Sequence, residues 1–107
     1  ENVFQTKSGL TLIDFDDAGF GYRGYDLGVC VSQHYSAGHL NDLIAAVAEG
    51  YGTPRKAPSL ADIKFFLMLR GLASCGWVIA RQPKKSPVQR RYAERALHLA
   101  HQWLTTA

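Results

Sequence analysis

The sequence predicts a mostly helical α+β fold in which one short β-hairpin precedes about four helices. Three observations carry that expectation. Two β-rich runs flank a Gly-containing turn within the first 15 residues, Ser-headed helix-start patterns stand at residues 59 and 86, and from residue 25 onward apolar residues recur three and four apart. At 107 residues the chain fits a single unit. Its 47% hydrophobic and 20% charged residues exclude a disordered, collagen-like or coiled-coil chain.

Val3-Phe4-Gln5-Thr6 and Leu10-Thr11-Leu12-Ile13-Asp14-Phe15 are the two strand runs, and Lys7-Ser8-Gly9 between them suits a tight turn. Residues 16–24 hold three glycines and two acids without periodicity, so a loop is expected directly after the second strand. A first helix of about three turns is expected from Tyr25, with Asp26 as cap or first-turn acid and Leu27, Val31 and Tyr35 four apart. Residues 39–51 form a second helix with Leu40, Leu43, Ile44 and Val47 on one stripe, ended by Gly50 and Gly52. Ser59-Leu60-Ala61-Asp62 has the form of a capping box and opens a third helix over residues 60–81. That helix is apolar on nearly every face, which predicts a central, buried element. Ser86-Pro87-Val88-Gln89 repeats the box with proline at the first helical position and opens a last helix to about residue 104. Its apolar stripe is Val88, Tyr92, Ala96, Leu99 and Trp103, with Arg90, Arg91 and Arg95 on other, solvated faces. The predicted core includes Phe65, Phe66, Leu69, Leu72, Trp77 and Trp103.

The longest apolar stretch, residues 63–80, is interrupted by Lys64 and Arg70 and carries two glycines, so a membrane span is not expected. No basic-then-apolar leader opens the chain. Cys30 and Cys75 stand far apart in apolar surroundings, which predicts reduced core thiols and a cytoplasmic setting. Residue 1 is Glu and the only methionine is Met68, so the chain is expected to begin after the start of translation, with a processed product, an engineered product and the later part of a longer protein all open. Residues 1–50 carry seven acids against two bases, and residues 51–107 ten bases against two acids. The basic cluster Arg81, Lys84, Lys85, Arg90, Arg91 and Arg95 lacks interleaved aromatics and a recognition motif, so nucleic acid is not an expected partner.

The chemistry-bearing stretch is residues 2–26. Asn2 enters the first strand and Asp14 leaves the second, so the hairpin should bring an amide oxygen and a carboxylate to one corner. Hard oxygen donors of this kind, one or two from the protein with waters and substrate phosphates, suit Mg²⁺. Asp16 and Asp17 are open to two readings, contact with a second metal or a cationic substrate amine, and solvated loop acids. Arg70 is buried by pattern and calls for a carboxylate partner near Asp16, with substrate contact as the alternative. His34 and His39 share no helical face, and neither cysteine stands at zinc spacing from them. No Ser/His/Asp nucleophile pattern appears, and Gly19-Phe20-Gly21 lacks the strand-to-helix context of a phosphate-cradling loop.

The residues Asn2-Val3-Phe4, then Leu12-Ile13-Asp14-Phe15-Asp16-Asp17-Ala18-Gly19-Phe20-Gly21, then Tyr25-Asp26-Leu27-Gly28 resemble the kinase-like small-molecule phosphotransferases. That family comprises aminoglycoside phosphotransferases, choline and ethanolamine kinases and homoserine-kinase-like enzymes. Glu49-Gly50-Tyr51-Gly52 and the long apolar helix with Arg70 and Trp77 are a weaker echo of the family's helical subdomain, so the resemblance spans nearly the whole chain.

The resemblance implies part of the C-terminal lobe of a protein-kinase-like fold, with residues 1–24 as metal-site hairpin and loop and 25–107 as helical subdomain. It implies ATP and Mg²⁺ as cofactors and transfer of phosphate to a hydroxyl of a small polar molecule. Asp14 and Asn2 would be metal ligands and Asp26 a structural acid bracing the catalytic loop. The family's His-Gly-Asp segment with the catalytic base should precede Glu1, as should the nucleotide-binding lobe and its lysine. This chain by itself would therefore carry no catalytic base, would be inactive, and would tend to self-associate through surface that the missing lobe covers. Two other classes of function stand beside this one: a non-catalytic helical interaction module, and an RNA-binding helical domain with salt-dependent affinity.

Overall fold

The computed structural model describes residues 2–15, 19–36, 38–52 and 58–106. Strands β1 (Val3–Thr6) and β2 (Gly9–Leu12) form an antiparallel hairpin, followed by helices α1 (Arg23–Val31), α2 (Leu40–Tyr51), α3 (Leu60–Arg81) and α4 (Pro87–Thr106). The predicted fold class, a hairpin followed by four helices, is the observed one.

In the hairpin Val3 pairs with Leu12 and Thr6 with Gly9. Gly9 takes φ 127°, a backbone conformation that costs a residue without Cβ little. β2 ends at Leu12, three residues short of the predicted run, because beyond it only Ile13 finds a ladder partner, its N–H donating to Asn2 O at 3.0 Å. All eight strand residues are exposed.

Helix α1 begins two residues earlier than expected, with Tyr22 at the cap and Asp26 inside the first turn. It tightens at its end into a 3-10 turn, Ser32–His34. Its predicted spacing holds, since Leu27 and Val31 are buried and Tyr35 packs against the core. Helix α2 presents Leu40 and Ile44 inward and ends at Gly52, whose N–H donates to Ala48 O at 3.2 Å.

The predicted capping box of α3 is present in both directions: Asp62 N–H donates to Ser59 Oγ at 3.1 Å, and Ser59 N–H donates to the Asp62 carboxylate at 3.3 Å. The second box forms by half. Gln89 N–H donates to Ser86 Oγ at 3.2 Å, but the Gln89 side chain turns away to donate to Gln82 O at 3.1 Å and Ile79 O at 3.4 Å. It thereby satisfies carbonyls at the end of α3 that the helix leaves without partners. The two helices run antiparallel across this short connection.

α3 packs on α4 along its length and against α1 on another side. The core gathers Leu27, Val31, Leu40, Ile44, Ile63, Leu67, Met68 and Leu99. α1 and α3 touch at Gly28, where a Cβ would stand 2.8 Å from the Leu67 nitrogen, so only glycine permits this approach.

The predicted core needs correction. Phe65 and Trp103 pack against the cluster, with ring centroids 5.3 Å apart, and Phe66 is half-buried. Leu69, Leu72 and Trp77 instead face outward, Trp77 with 57% of its surface exposed. Among the described residues α3 is covered chiefly by α1 and α4, with a smaller contact to α2 and the 3-10 turn, while its composition is apolar nearly all round. By length and composition α3 could also cross a membrane, contrary to the sequence expectation, but a core helix packed between neighbours meets the same description. The cysteines are free thiols but not core residues: Cys30 is exposed and Cys75 half-buried. Arg95, assigned by sequence to a solvated face, is half-buried, and its guanidinium donates to Ser32 O at 3.2 Å.

Candidate functional site

The hairpin register sets the site. With Val3 opposite Leu12 and Ile13 bonded to the Asn2 carbonyl, Asn2 and Asp14 are one residue out of register at the same open end of the hairpin. Asp14 holds φ 64°, a left-handed backbone that non-glycine residues seldom adopt and that Asp and Asn tolerate best. Such conformations cluster where a site needs a side chain aimed against the chain's preference. The turn ends the strand and lifts Asp14 out of the alternating strand pattern.

Asn2 and Asp14 are both exposed, and among the described residues neither side chain has a hydrogen-bond partner. An amide oxygen and a carboxylate, both free, are a donor set that fits a hard divalent cation completing its shell with water and phosphate oxygens. They do not fit a zinc centre, and among the described residues no three His, Cys, Asp or Glu side chains group to hold a metal. Asp16 and Asp17 lie outside the described residues.

Where the start of α1 meets α3 stands an aromatic cluster that sequence reasoning did not single out. Phe66 of α3 meets Tyr22 at 5.8 Å and Tyr25 edge-on at 6.4 Å between ring centroids. Its signal in the sequence was the run of aromatics Phe20, Tyr22 and Tyr25 around the first helix start. Arg70 is half-buried rather than buried, and its Nη1 lies 3.5 Å from the Tyr25 hydroxyl. A phenol accepts from the guanidinium where a carboxylate was expected, and any pairing with Asp16 falls outside the described residues. Asp26 is exposed in the first turn of α1, where its charge complements the helix dipole, and has no partner among the described residues. The structure thus brings Asn2 and Asp14 to one corner, sets Arg70 on Tyr25, and leaves Asp26 facing solvent.

Four helices and a two-stranded hairpin, whose open end carries Asn2 and Asp14 one residue out of register, define an α+β protein with a candidate oxygen-donor corner. The model of the phosphotransferase enzyme family matches residues 1–66, from the hairpin into α3 and more than half of the chain. The chain belongs to that family. Residues 67–107, with Arg70 and Trp77, lie beyond the match, whereas the sequence resemblance was read over nearly the whole chain. Comparisons with curated proteins and with solved structures gave no match.

Proposed function

We propose that this chain is the C-terminal, metal-holding part of an ATP- and Mg²⁺-dependent phosphotransferase that acts on a hydroxyl of a small polar molecule such as an aminoglycoside, an amino alcohol or an amino acid. Membership of the phosphotransferase family supports the reaction class. The observation that carries the rest is Asp14, turned into a left-handed conformation at the hairpin end that holds Asn2, with both side chains unengaged among the described residues. The Asp14 carboxylate and the Asn2 amide oxygen would hold Mg²⁺, which when bound neutralises phosphate charge during transfer. Asp14 and Asn2 then orient the nucleotide phosphates, while Arg70 fixes Tyr25 at the start of α1. Asp16 and Asp17 would meet a second metal or a cationic substrate. Asp26 would brace the catalytic loop.

On this reading the base, the nucleotide-binding lobe and its lysine lie upstream of Glu1, the setting is cytoplasmic, and neither nucleic acid nor membrane is a partner. The chain alone is inactive, because positioning the acceptor hydroxyl and the phosphates needs those groups. The test is nucleotide binding and turnover in the longer protein that carries this chain. Mg²⁺-dependent ATP binding that Asp14→Asn abolishes would support the proposal, and wild-type turnover in that variant would refute it.

A second reading, a non-catalytic helical interaction module, is favoured by the exposed Leu69, Leu72, Trp77 and Ile79 on α3. Absence of any Mg²⁺-dependent nucleotide binding in the longer protein would decide for it.

A further inference from the structure

We propose that the cleft between Tyr35 and Ser36, just after the 3-10 turn Ser32–His34, and α4 is a binding site for a small phosphate dianion, held by Arg91 and Arg95. Positions 91, 95 and 98 share one face of α4 by their four- and three-residue spacing. Two adjoining hollows, of about 180 and 330 Å³, open there, and both are lined by Tyr35, Arg91 and Arg95. Their size is at or below the small end of ligand pockets, ~300 Å³.

Arg95 is fixed in place before any ligand arrives. Its guanidinium carbon lies 5.1 Å from the Tyr35 ring centroid and 5.7 Å from that of Tyr92, and its Nη2 donates to Ser32 O at 3.2 Å. Its Nε is buried and, among the described residues, has no hydrogen-bond partner. A guanidinium offers five donors in a planar fork, and a buried donor without a partner is uncommon enough to call for one. A phosphate oxygen entering beside it would supply that partner. Arg91, one turn earlier, is exposed and adds a second fork at the mouth.

Phosphate matches two guanidinium groups better than a monocarboxylate does, since its charge and its several oxygens can engage both. Ser36 and His98 line the larger hollow and can meet the remaining oxygens. The one carboxylate at the rim, Glu94, is drawn off by Arg90, whose Nε lies 3.2 Å from Glu94 Oε1. The cleft sits at the C-terminal end of α1, opposite the Tyr22 and Tyr25 end; Arg91 and Arg95 lie beyond the residues matched by the family, 1–66, while Tyr35 and Ser36 lie within them. It therefore does not depend on the metal corner.

The test is calorimetric titration of the 107-residue chain with inorganic phosphate and with glycerol phosphate, at constant ionic strength set with chloride. Single-site saturation is expected, weakened about tenfold or more by Arg91→Ala, equivalent to ~1.4 kcal/mol. Arg91→Lys should recover part of the loss and Lys84→Ala should change nothing. The unliganded melting temperature of Arg91→Ala should match wild type, since this exposed side chain bears no core contact. Tighter binding of the ester would identify a phosphomonoester as occupant, tighter binding of the inorganic ion free phosphate, and either supports the site. Heat no greater than that from further chloride, or equal affinity in Arg91→Ala, would overturn it.

Discussion

Asp14 carries two requirements at once, a charge for the proposed cation and a backbone at φ 64°. Asparagine tolerates the same conformation, so Asp14→Asn removes the charge and leaves the turn. Turnover of the longer protein should fall to background in that variant while its melting temperature stays close to wild type. Asp26 offers a contrast. Exposed and unpartnered among the described residues, it contributes only its helix-dipole interaction here, so Asp26→Ala should shift the stability of this chain by no more than ~1 kcal/mol. A loss of activity in the longer protein, without comparable destabilisation of this chain, would be the signature of a brace acting on the upstream segment. Gly28 is a purely structural residue. A methyl group there would meet the α3 backbone at 2.8 Å, so Gly28→Ala should cost ~1–3 kcal/mol in a denaturant melt as α1 is pushed off α3.

Among the elements, α3 departs furthest from its sequence pattern. Leu99 of α4 is 1% exposed where it meets α3, and Leu99→Ala should cost ~2–5 kcal/mol. Trp77, on the more open side of the same helix, has among the described residues only Arg81 stacked on its ring, at 4.4 Å. Trp77→Ala should therefore cost ~1 kcal/mol or less, the loss of an exposed cation–π contact, and a loss as large as that of Leu99→Ala would show that this face is covered in solution. The capping box makes a similar distinction at the helix start: Ser59→Ala should destabilise by ~1 kcal/mol, measured by thermal unfolding.

For the molecule as a whole, the hairpin sets the shape. The radius of gyration is 15.0 Å, against ~13 Å for a compact chain of this length, because the hairpin packs little on the helices and leaves both strand faces and edges open. Val3, Phe4, Leu10, Leu12, Ile13 and Phe15 are all exposed on it, and Leu69, Leu72, Trp77 and Ile79 on α3. Contiguous apolar surface and free strand edges drive association. Light scattering on the purified chain should find oligomers, and a monodisperse monomer would contradict this. The same preparation should not phosphorylate any small hydroxyl compound from ATP, since on the proposed reading the base and the nucleotide-binding lobe with its lysine lie outside this chain.

The sequence by itself determined the fold class, the bounds of α3 and the position of the hairpin, because capping boxes, turn glycines and residue periodicity act locally. It also brought Asn2 and Asp14 to the same end of the hairpin, one residue out of register, since an antiparallel pair of known turn position dictates which residues face each other. Only the tertiary structure decided which side of α3 is covered: a helix apolar all round contains no signal for where its neighbours lie. For the same reason Leu69, Leu72 and Trp77 were misassigned to the core and both cysteines were placed too deep. Arg70 on Tyr25, and Arg95 on Ser32 and Tyr35, join residues 45, 63 and 60 positions apart. Contacts of that range depend on how α1 crosses α3 and how α4 returns along it, and the close approach at Gly28 is what brings α1 onto α3.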